Sequence, residues 1–486
     1  MTDLLFFLAM LVATVAVEAL ARPHAGTLRS ARGVAVHLLV VTAAFGTCLM
    51  LLGGVPVAAG LAAALVALLV VASNAKHAVL GEPLIFSDLA LIGALVSHPR
   101  FYFTAIPRDK RWVCAIGALA VVAGLAALFT PRLPAHLAGA GIALGALAAL
   151  RGVVDSRWLA ATAATPDLDR DVAQHGLFAV LLLYWWRWRR EGDPAPLPPL
   201  DTRVPPAPEI VVVVQCESFA DPVDLTGDAA LALPALAAAR AAAWQCGDLN
   251  VSGFGAYTMR TEYGVLFGRS EDALGFRRYD PFLTAAREAS HALPMRLRGA
   301  GYHGRFVHPH DLRFYNRHRL MPAIGFDELT GEAAFASPPV GQRYVDDRSL
   351  AAMLGGMVTA AQGPTLIYAV TMENHGPWDG GTGRGDGSAL AAYLRHVRSS
   401  DAMLGDLIDR LHRDGRSALL VFFGDHRPSI PGASLPGGDR HTPYVMLRFG
   451  RGADDGARPG RVDLTPAELH HAILRAVAGG GVSPAA

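Results

Sequence analysis

The chain has 486 residues, of which 52% are hydrophobic and only 17% are charged. It is longer than one ordinary domain and more apolar than an ordinary soluble protein. A net charge of +1 gives no reason to expect a nucleic acid as a partner. Four cysteines are present, and Cys216 and Cys246 are too far apart in the sequence for a zinc knuckle.

Apolar residues concentrate in the first third of the chain. Five runs there each approach the ~17–25 residues that a helix needs to cross the hydrocarbon core of a bilayer, although the third is at the short limit. These runs lack the polar stripe that the helices of a soluble bundle would carry. We therefore predict a transmembrane domain at residues 1–155 with about five spans, at 4–21, 34–57, 58–72, 113–129 and 135–150.

Residues 156–208 are predicted to connect the spans to a second domain. The segment GLFAVLLLYWWRWRR, which starts at Gly176, has an apolar stretch shorter than an ordinary span, followed by tryptophans and arginines. This pattern predicts a helix lying at the level of the lipid headgroups, with a sixth, short span at 176–186 as the alternative. The Pro-rich segment EGDPAPLPPLDTRVPPAPE, residues 191–209, predicts an extended linker.

Basic residues near the spans favour one orientation in the membrane. Loops rich in Lys and Arg tend to stay in the cytoplasm, so five spans would place the C-terminal domain there as well. A sixth span would reverse that orientation. The basic residues are Arg22, Arg29, Arg32, Arg108, Lys110 and Arg111.

Residues 209–486 show the pattern of an α/β domain. Strand-like runs (IVVVV, PTLIYAV, ALLVFF, YVMLRF) alternate with helical patterns such as ALPALAAARAAAW and LAAYLRHVRSSDAMLGDLIDRLHRDG. Continuous apolar runs separated by helices predict a mainly parallel central sheet that is covered on both faces. A segment of this length is long enough to bury a large core.

Chemically capable side chains follow the predicted strands, where an open α/β sheet binds its ligands. Glu217 follows IVVVVQC, His375 follows TLIYAV, and Asp425 with His426 follows ALLVFFG, while Thr258 lies in the Gly-flanked loop GAYTMRTEYG. Each alone is often only structural, but together they predict one site. Carboxylates, a hydroxyl and an imidazole form a ligand set suited to Mn²⁺, Mg²⁺ or Zn²⁺.

A metal-bound hydroxyl has a lowered pKa, so Thr258 is the candidate nucleophile. A second cluster, HPHDLRFYNRHR at residues 308–319, contains His308, Tyr315 and Arg317. The planar guanidinium of an arginine suits an oxyanion such as phosphate. The alternative for this cluster is an ordinary basic surface loop.

The motifs QCESF, YTMRTEYG, FYNR, TMENHGPW and GDH, in this order, resemble those of the lipoteichoic acid synthase family. Members of that family are phosphoglycerol transferases of the alkaline phosphatase and sulfatase superfamily. The resemblance implies a Mn²⁺ ion, with Mg²⁺ or Zn²⁺ as alternatives, held by Glu217, Thr258, Asp425 and His426. It also implies substrate contacts from His308, Tyr315, Arg317 and His375; Tyr315 stands where the best-known members have Trp.

The resemblance further implies an activity. Thr258 would take glycerophosphate from phosphatidylglycerol as a phosphothreonine and pass it to an envelope glycan or glycolipid. The protein would then be a multi-pass protein of the inner (cell) membrane with its catalytic domain on the periplasmic or extracellular side, and we prefer this orientation to the one from charge counting. His441, in DRHTPYVM, either lines the same site or caps a strand.

Four other functions are alternatives to phosphoglycerol transfer. A sulfatase activity is disfavoured, because neither CESFAD nor TMRTE has the Cys or Ser followed by x-Pro-x-Arg that formylglycine formation needs. A phosphoethanolamine transferase would use a similar threonine and metal. A membrane-anchored phosphodiesterase would use water as the acceptor. A catalytically dead binding or sensor protein is disfavoured by the intact Thr258 and ligand set.

Overall fold

The computed structural model describes residues 1–24, 29–89, 108–198, 200, 208–339, 342–378, 388–450 and 460–478. The chain divides into two compact units, Met1–Glu191 and Gly192–Ala486. Residues 199 and 201–207 of the predicted linker lie outside the described residues.

The regular secondary structure of the first unit, within its described residues, is entirely α-helical. Among the described residues, three helices, α2, α3 and α5, are long and apolar enough to cross a membrane. Five helices lie on the five predicted spans, and three short ones follow them. They are α1 (Thr2–Glu18), α2 (Ala31–Leu52), α3 (Val55–Leu80), α4 (Arg108–Ala127), α5 (Leu133–Val154), α6 (Arg157–Ala160), α7 (Leu168–His175) and α8 (Leu177–Trp188).

Helix α8 lies in the segment that is predicted to form a helix at the level of the lipid headgroups, with a sixth span as the alternative. It has 12 residues, which gives a length of about 18 Å against a hydrocarbon core of about 30 Å. Its N-terminal half is buried inside the first unit, and Trp185 and Trp186 near its end are partly exposed. Its position at the headgroup level stays a prediction.

A buried polar network joins α8 to the first two helices. The Glu18 carboxylate accepts a hydrogen bond from the backbone N–H of Phe178 at 3.0 Å and lies 3.0 Å from Nδ1 of His37. Nε2 of His37 lies 3.2 Å from the hydroxyl of Thr14. Because a charge buried among apolar helices is costly unless it is paired, this network fixes the position of α8 on α1 and α2.

The second unit is built on an eight-stranded sheet within the described residues, in the order β4-β3-β5-β1-β6-β7-β2-β8. Five neighbouring pairs are parallel, and β7 is antiparallel to both β6 and β2. The predicted mainly parallel sheet is confirmed. The strands are β1 (Ile210–Cys216), β2 (Gln245–Asn250), β3 (His303–Val307), β4 (Glu328–Thr330), β5 (Thr365–Val370), β6 (Ala418–Gly424), β7 (His441–Phe449) and β8 (Gly460–Arg461).

The helices of this unit cover the sheet on both sides. Several single turns of 3₁₀ helix also occur, among them Phe314–Asn316. The α-helices are α9 (Pro222–Thr226), α10 (Pro234–Ala242), α11 (Thr258–Phe267), α12 (Glu271–Leu274), α13 (Leu293–Arg298), α14 (Arg317–Ala323), α15 (Asp347–Ala360), α16 (Ser388–Asp414) and α17 (Pro466–Val477).

Strand β1 shows why the central strands read as unbroken apolar runs. Val211 and Val213 face a core that includes α11, α13 and α17, whereas Val212 and Val214 face a core that includes α10, α15 and α16. Successive side chains of a strand point to opposite faces, so a strand covered on both sides favours apolar residues at every position. Gln215, near the end of β1, is buried and accepts a hydrogen bond from the hydroxyl of Tyr368 at 2.8 Å.

Glycine ends strand β6 because the chain passes very close to another backbone there. A Cβ atom added at Gly424 would lie 1.9 Å from the carbonyl oxygen of Phe219. The carbonyl of Gly424 also accepts a hydrogen bond from the hydroxyl of Thr442 at 2.7 Å. This close approach brings the segment after β1 against the segment after β6.

We predict that Gly424→Ala destabilises the protein by about 3 kcal/mol, because the new methyl group meets backbone that has no room to shift. Gly356→Ala is the matched control: Gly356 lies within α15 with nothing within 4 Å of an added Cβ, so the change should be neutral or stabilising by up to about 1 kcal/mol. Thermal unfolding of both variants in detergent checks this. Equal unfolding temperatures would contradict it.

Candidate active site

Three metal-ligating side chains meet at the carboxyl ends of two adjacent parallel strands. Cys216 of β1 is paired with Gly424 of β6, so the residues that follow, Glu217 and Asp425, leave the sheet at the same level. Nε2 of His426 lies 3.3 Å from a Glu217 oxygen and 3.8 Å from an Asp425 oxygen. All three side chains are buried, and their ligand atoms lie within 4.8 Å of one another.

Ser218 forms hydrogen bonds to both carboxylates, those of Glu217 and Asp425. Its backbone N–H donates to Oδ1 of Asp425 at 2.8 Å, and its hydroxyl donates to Oε1 of Glu217 at 2.8 Å. Ser218 has a φ of 50°, a left-handed conformation that non-glycine residues rarely adopt. Oδ2 of Asp425 is buried and has no hydrogen-bond partner among the described residues. That oxygen is therefore available to a ligand.

The charges of the cluster are strongly coupled. Burial disfavours the Glu217 carboxylate, but the hydrogen bond and charge of His426 outweigh it and lower the pKa of Glu217 to about 2. Burial and the Glu217 charge raise the pKa of Asp425 to about 7. Burial disfavours the His426 imidazolium, yet the two carboxylates raise its pKa to about 9. Two buried carboxylates thus need a positive charge beside them.

The donor set fits a divalent cation. Nδ1 of His426 donates a hydrogen bond to the carbonyl of Arg427 at 3.0 Å, which leaves Nε2 directed at the carboxylates. A second hydrogen bond of this kind commonly orients a metal-ligating histidine. Two carboxylates and one imidazole suit Mn²⁺, Mg²⁺ or Zn²⁺.

Thr258 lies beside this cluster, at the first position of α11. The residue before it, Tyr257, has a φ of 76°, and this left-handed turn starts the helix. The Thr258 hydroxyl lies 3.4 Å from Oε2 of Glu217, and only 7% of the residue is exposed. The hydroxyl of Thr261, one turn on, donates to the backbone carbonyl of Asp425 at 2.8 Å. The structure therefore brings the predicted nucleophile to the predicted ligands, and its role stays a prediction.

The FYNR segment is not a basic surface loop. Arg317 is buried, with 1% of its surface exposed, and its Nη1 donates to Nε2 of His308 at 3.2 Å. Nδ1 of His308 donates to the carbonyl of Val370 at 3.0 Å. Burial and the Arg317 charge hold the pKa of His308 well below its usual value, so this histidine is neutral. The Arg317 guanidinium lies 5.1 Å from the ring centre of Tyr315.

The two remaining histidines differ in their surroundings. His375 is half-buried near the cluster, where its charge contributes to the low pKa of Glu217, and its ring lies 5.8 Å from that of Tyr344. His441 accepts a hydrogen bond at 2.8 Å from the side chain of Arg427. The structure thus ties His441 to the residue after His426, outside the three-residue ligand cluster.

Two residues of this region were not found from the sequence. Ser218 is one, because its contribution depends on a backbone conformation. Glu262 is the other: its carboxylate accepts hydrogen bonds from Nε and Nη2 of Arg317 at 3.1 and 2.5 Å. The available signal was its spacing, four residues after Thr258, which places both on one face of a helix.

Two known proteins resemble this chain in sequence. The capsular polysaccharide biosynthesis protein RkpI of Rhizobium meliloti (strain 1021) is 30% identical over 427 residues, which cover 83% of this chain and 79% of RkpI. A putative cyclic β-1,2-glucan modification protein of the same organism is 28% identical over 45% of this chain and 36% of its own length. The chain thus spans about a third of that second relative.

One solved structure resembles nearly the whole chain. It is the integral membrane protein lipooligosaccharide phosphoethanolamine transferase A (EptA) of Neisseria meningitidis, with a TM-score of 0.53 and 13% identity, covering 98% of this chain and 94% of EptA. At this identity the likeness concerns the fold alone: a helical N-terminal region followed by the α/β unit.

The family comparison covers the second unit. The model of the sulfatase family matches residues 209–476, which is more than half of the chain and includes the whole ligand cluster and Thr258. The expected resemblance to this superfamily is confirmed, and the chain belongs to the sulfatase family.

Proposed function

We propose that this protein is a membrane-bound phosphoglycerol transferase that moves glycerophosphate from phosphatidylglycerol to an envelope glycan or glycolipid. The observation that carries the proposal is the position of the Thr258 hydroxyl, 3.4 Å from Glu217 in a buried cluster of metal-ligating side chains. A hydroxyl nucleophile beside such a cluster suits phosphoryl transfer through a covalent intermediate.

Glu217, Asp425 and His426, with the Thr258 hydroxyl, would hold the divalent cation. When bound, the ion would lower the pKa of the Thr258 hydroxyl and neutralise negative charge that develops on the phosphoryl oxygens. We favour Mn²⁺, the ion that the resemblance to the lipoteichoic acid synthase family implies. Mg²⁺ and Zn²⁺ are alternatives, because the same ligand set accommodates them.

In the first half-reaction, the Thr258 oxygen forms a bond to the phosphorus of the donor lipid. The hydroxyl proton passes to a neighbouring carboxylate, the bond from phosphorus to the diacylglycerol oxygen breaks, and that oxygen takes up a proton. We assign the delivery of that proton to His375, which is half-buried and close enough to the cluster for its charge to lower the pKa of Glu217. Arg317 holds the phosphoryl oxygens through its remaining N–H groups and through the charge of the guanidinium, and His308 accepts from Nη1 and orients that group.

In the second half-reaction, an acceptor hydroxyl attacks the phosphorus of phosphothreonine. The proton of the acceptor hydroxyl passes to His375, which gave up its proton in the first half-reaction. The bond between phosphorus and the Thr258 oxygen breaks, and the threonine regains its proton from the neighbouring carboxylate. The names of both Rhizobium relatives refer to glycans, a capsular polysaccharide and a cyclic glucan, and this supports a glycan acceptor. The apolar helices of the first unit would keep the site beside its lipid donor, on the periplasmic or extracellular side.

The described side chains around Arg317 favour a glycerol headgroup over ethanolamine. The side chains in direct contact with Arg317 are those of His308, Tyr315 and Glu262, and the Glu262 carboxylate is already engaged by Arg317. An ammonium group needs an available carboxylate or an open aromatic face, whereas glycerol hydroxyls need only hydrogen-bond partners.

We predict that the purified protein in detergent with Mn²⁺ releases diacylglycerol from phosphatidylglycerol and gains the mass of one glycerophosphate group. Lipid chromatography and intact-mass spectrometry measure the two products in one sample. Phosphatidylethanolamine is the comparison donor. Release from phosphatidylethanolamine alone would replace the proposal with phosphoethanolamine transfer, and release without an adduct would indicate a phosphodiesterase.

Thr258→Ala should abolish both the adduct and the release of diacylglycerol, because no other oxygen replaces the nucleophile. We expect Thr258→Ser to keep a measurable adduct, since its hydroxyl occupies the same position. Thr359→Ala, which removes a threonine hydroxyl from α15, is the matched control and should turn over like the wild type. An adduct of unchanged yield on Thr258→Ala would disprove the covalent role.

A further inference from the structure

Glu262 is a buried acid that the transfer mechanism does not use. None of its surface is exposed, and its two carboxylate oxygens accept from Nε and Nη2 of Arg317 in a fork-shaped pair. Removing two such groups from water is costly, and the attraction between them offsets that cost only when the geometry is good. An arginine needed only for its positive charge would be weakened by such a partner. The ion pair with Glu262 therefore reduces the net positive charge at Arg317 and fixes the orientation of its guanidinium.

The hydrogen bonds of Arg317 leave a defined part of its guanidinium available. The group carries five N–H bonds. Glu262 accepts from Nε and Nη2, and His308 accepts from Nη1. One N–H therefore remains on each of the two terminal nitrogens. N–H groups on the two terminal nitrogens of an arginine can bind two oxygens of a phosphoryl group.

The carboxylate belongs to the same rigid helix as the nucleophile. Thr258 and Glu262 are four residues apart in α11 and therefore lie on one face of the helix. Every residue of α11 except Met259 is buried, and a Cβ added at Gly264 would lie 2.5 Å from Pro466 of α17. A helix packed this tightly does not move independently of its surroundings.

The segment that carries Arg317 is itself held in an uncommon conformation. Tyr315 and Asn316 both have left-handed backbones, with φ of 52° and 56°. Two consecutive non-glycine residues of this kind persist only where surrounding contacts fix them, and such strain concentrates at functional sites. The buried salt bridge between Arg317 and Glu262 connects the end of this turn to α11.

We infer that Glu262 is a positioning residue that fixes the Arg317 guanidinium at a set distance from the Thr258 oxygen, so that helix α11 presents both the nucleophile and the oriented anion-binding group. The inference rests on the proposed phosphoryl transfer for the identity of the anion. A substrate phosphoryl group held by the two remaining N–H groups would then face Thr258 in one geometry.

The test uses the full-length protein in detergent with Mn²⁺ and compares Glu262→Asp and Glu262→Gln with the wild type. Glu262→Asp keeps the charge but is shorter by one methylene, so it draws the guanidinium towards α11. Glu262→Gln keeps the length and loses the charge. We expect both to weaken the binding of glycerol phosphate by about tenfold, and to lower kcat/KM for phosphatidylglycerol on the order of 100-fold, because small misplacements of a binding group have large kinetic effects.

Glu288→Gln is the matched control. Glu288 is also buried, and it pairs with Arg269 and Arg277 and accepts from the hydroxyl of Tyr263, which belongs to α11. We expect this change to lower the unfolding temperature while the folded fraction keeps its affinity for glycerol phosphate and its kcat and KM. A role of Glu262 in stability alone would give the same pattern for Glu262→Asp and Glu262→Gln, and that result would overturn the inference.

A double-mutant cycle separates positioning from any direct contact with substrate. In an Arg317→Ala background, Glu262→Gln should change kcat/KM by less than about threefold, because interacting residues act non-additively. Full additivity would overturn the inference. If the wild type turns over no phospholipid, the proposed function fails, and the binding of glycerol phosphate still decides the inference. If Glu262→Gln does not fold, Glu262→Asp carries the comparison.

Discussion

The second unit depends on one unfavourable arrangement: two carboxylates, Glu217 and Asp425, are buried side by side. Adjacent parallel strands in register place them there, and the close backbone approach at Gly424 keeps them there. Without a positive charge between them, this arrangement would cost several kcal/mol per charge. His426 supplies part of that charge. A metal ion would supply the rest at Oδ2 of Asp425, which has no hydrogen-bond partner in the part of the chain that the structure describes.

The other parts of the site follow from where the carboxylates lie. Helix α11 begins at Thr258, beside Glu217, and its Thr261 hydroxyl is bonded to the backbone of Asp425. The same helix reaches Arg317 through Glu262. The proposed nucleophile, the proposed metal ligands and the proposed anion-binding group are therefore connected through short buried contacts at the carboxyl edge of the sheet. This is the preorganisation that phosphoryl transfer requires, because its catalysis consists largely of positioning and charge stabilisation.

The sequence predicts the parts of this fold that local patterns encode. The central strands β1, β5 and β6 are unbroken apolar runs, and the residues that follow them include Glu217, Asp425 and His426. Strands β3 and β4, at one end of the sheet, were not predicted, because they are short and carry charged residues such as Arg305. Contacts between distant residues have no local pattern: Glu262 and Arg317 are 55 positions apart, and their pairing emerges only in three dimensions.

The central claim is that the Glu217, Asp425 and His426 cluster is built to hold one divalent cation. The most direct measurement is the metal content of the purified wild-type protein by elemental analysis, with anomalous diffraction to locate the ion. We predict one equivalent bound at this cluster, lost in Asp425→Asn and retained in Asp401→Asn, which alters a buried carboxylate elsewhere in the sheet unit. A folded wild-type protein that binds no Mn²⁺, Mg²⁺ or Zn²⁺ at saturating concentrations would contradict the claim.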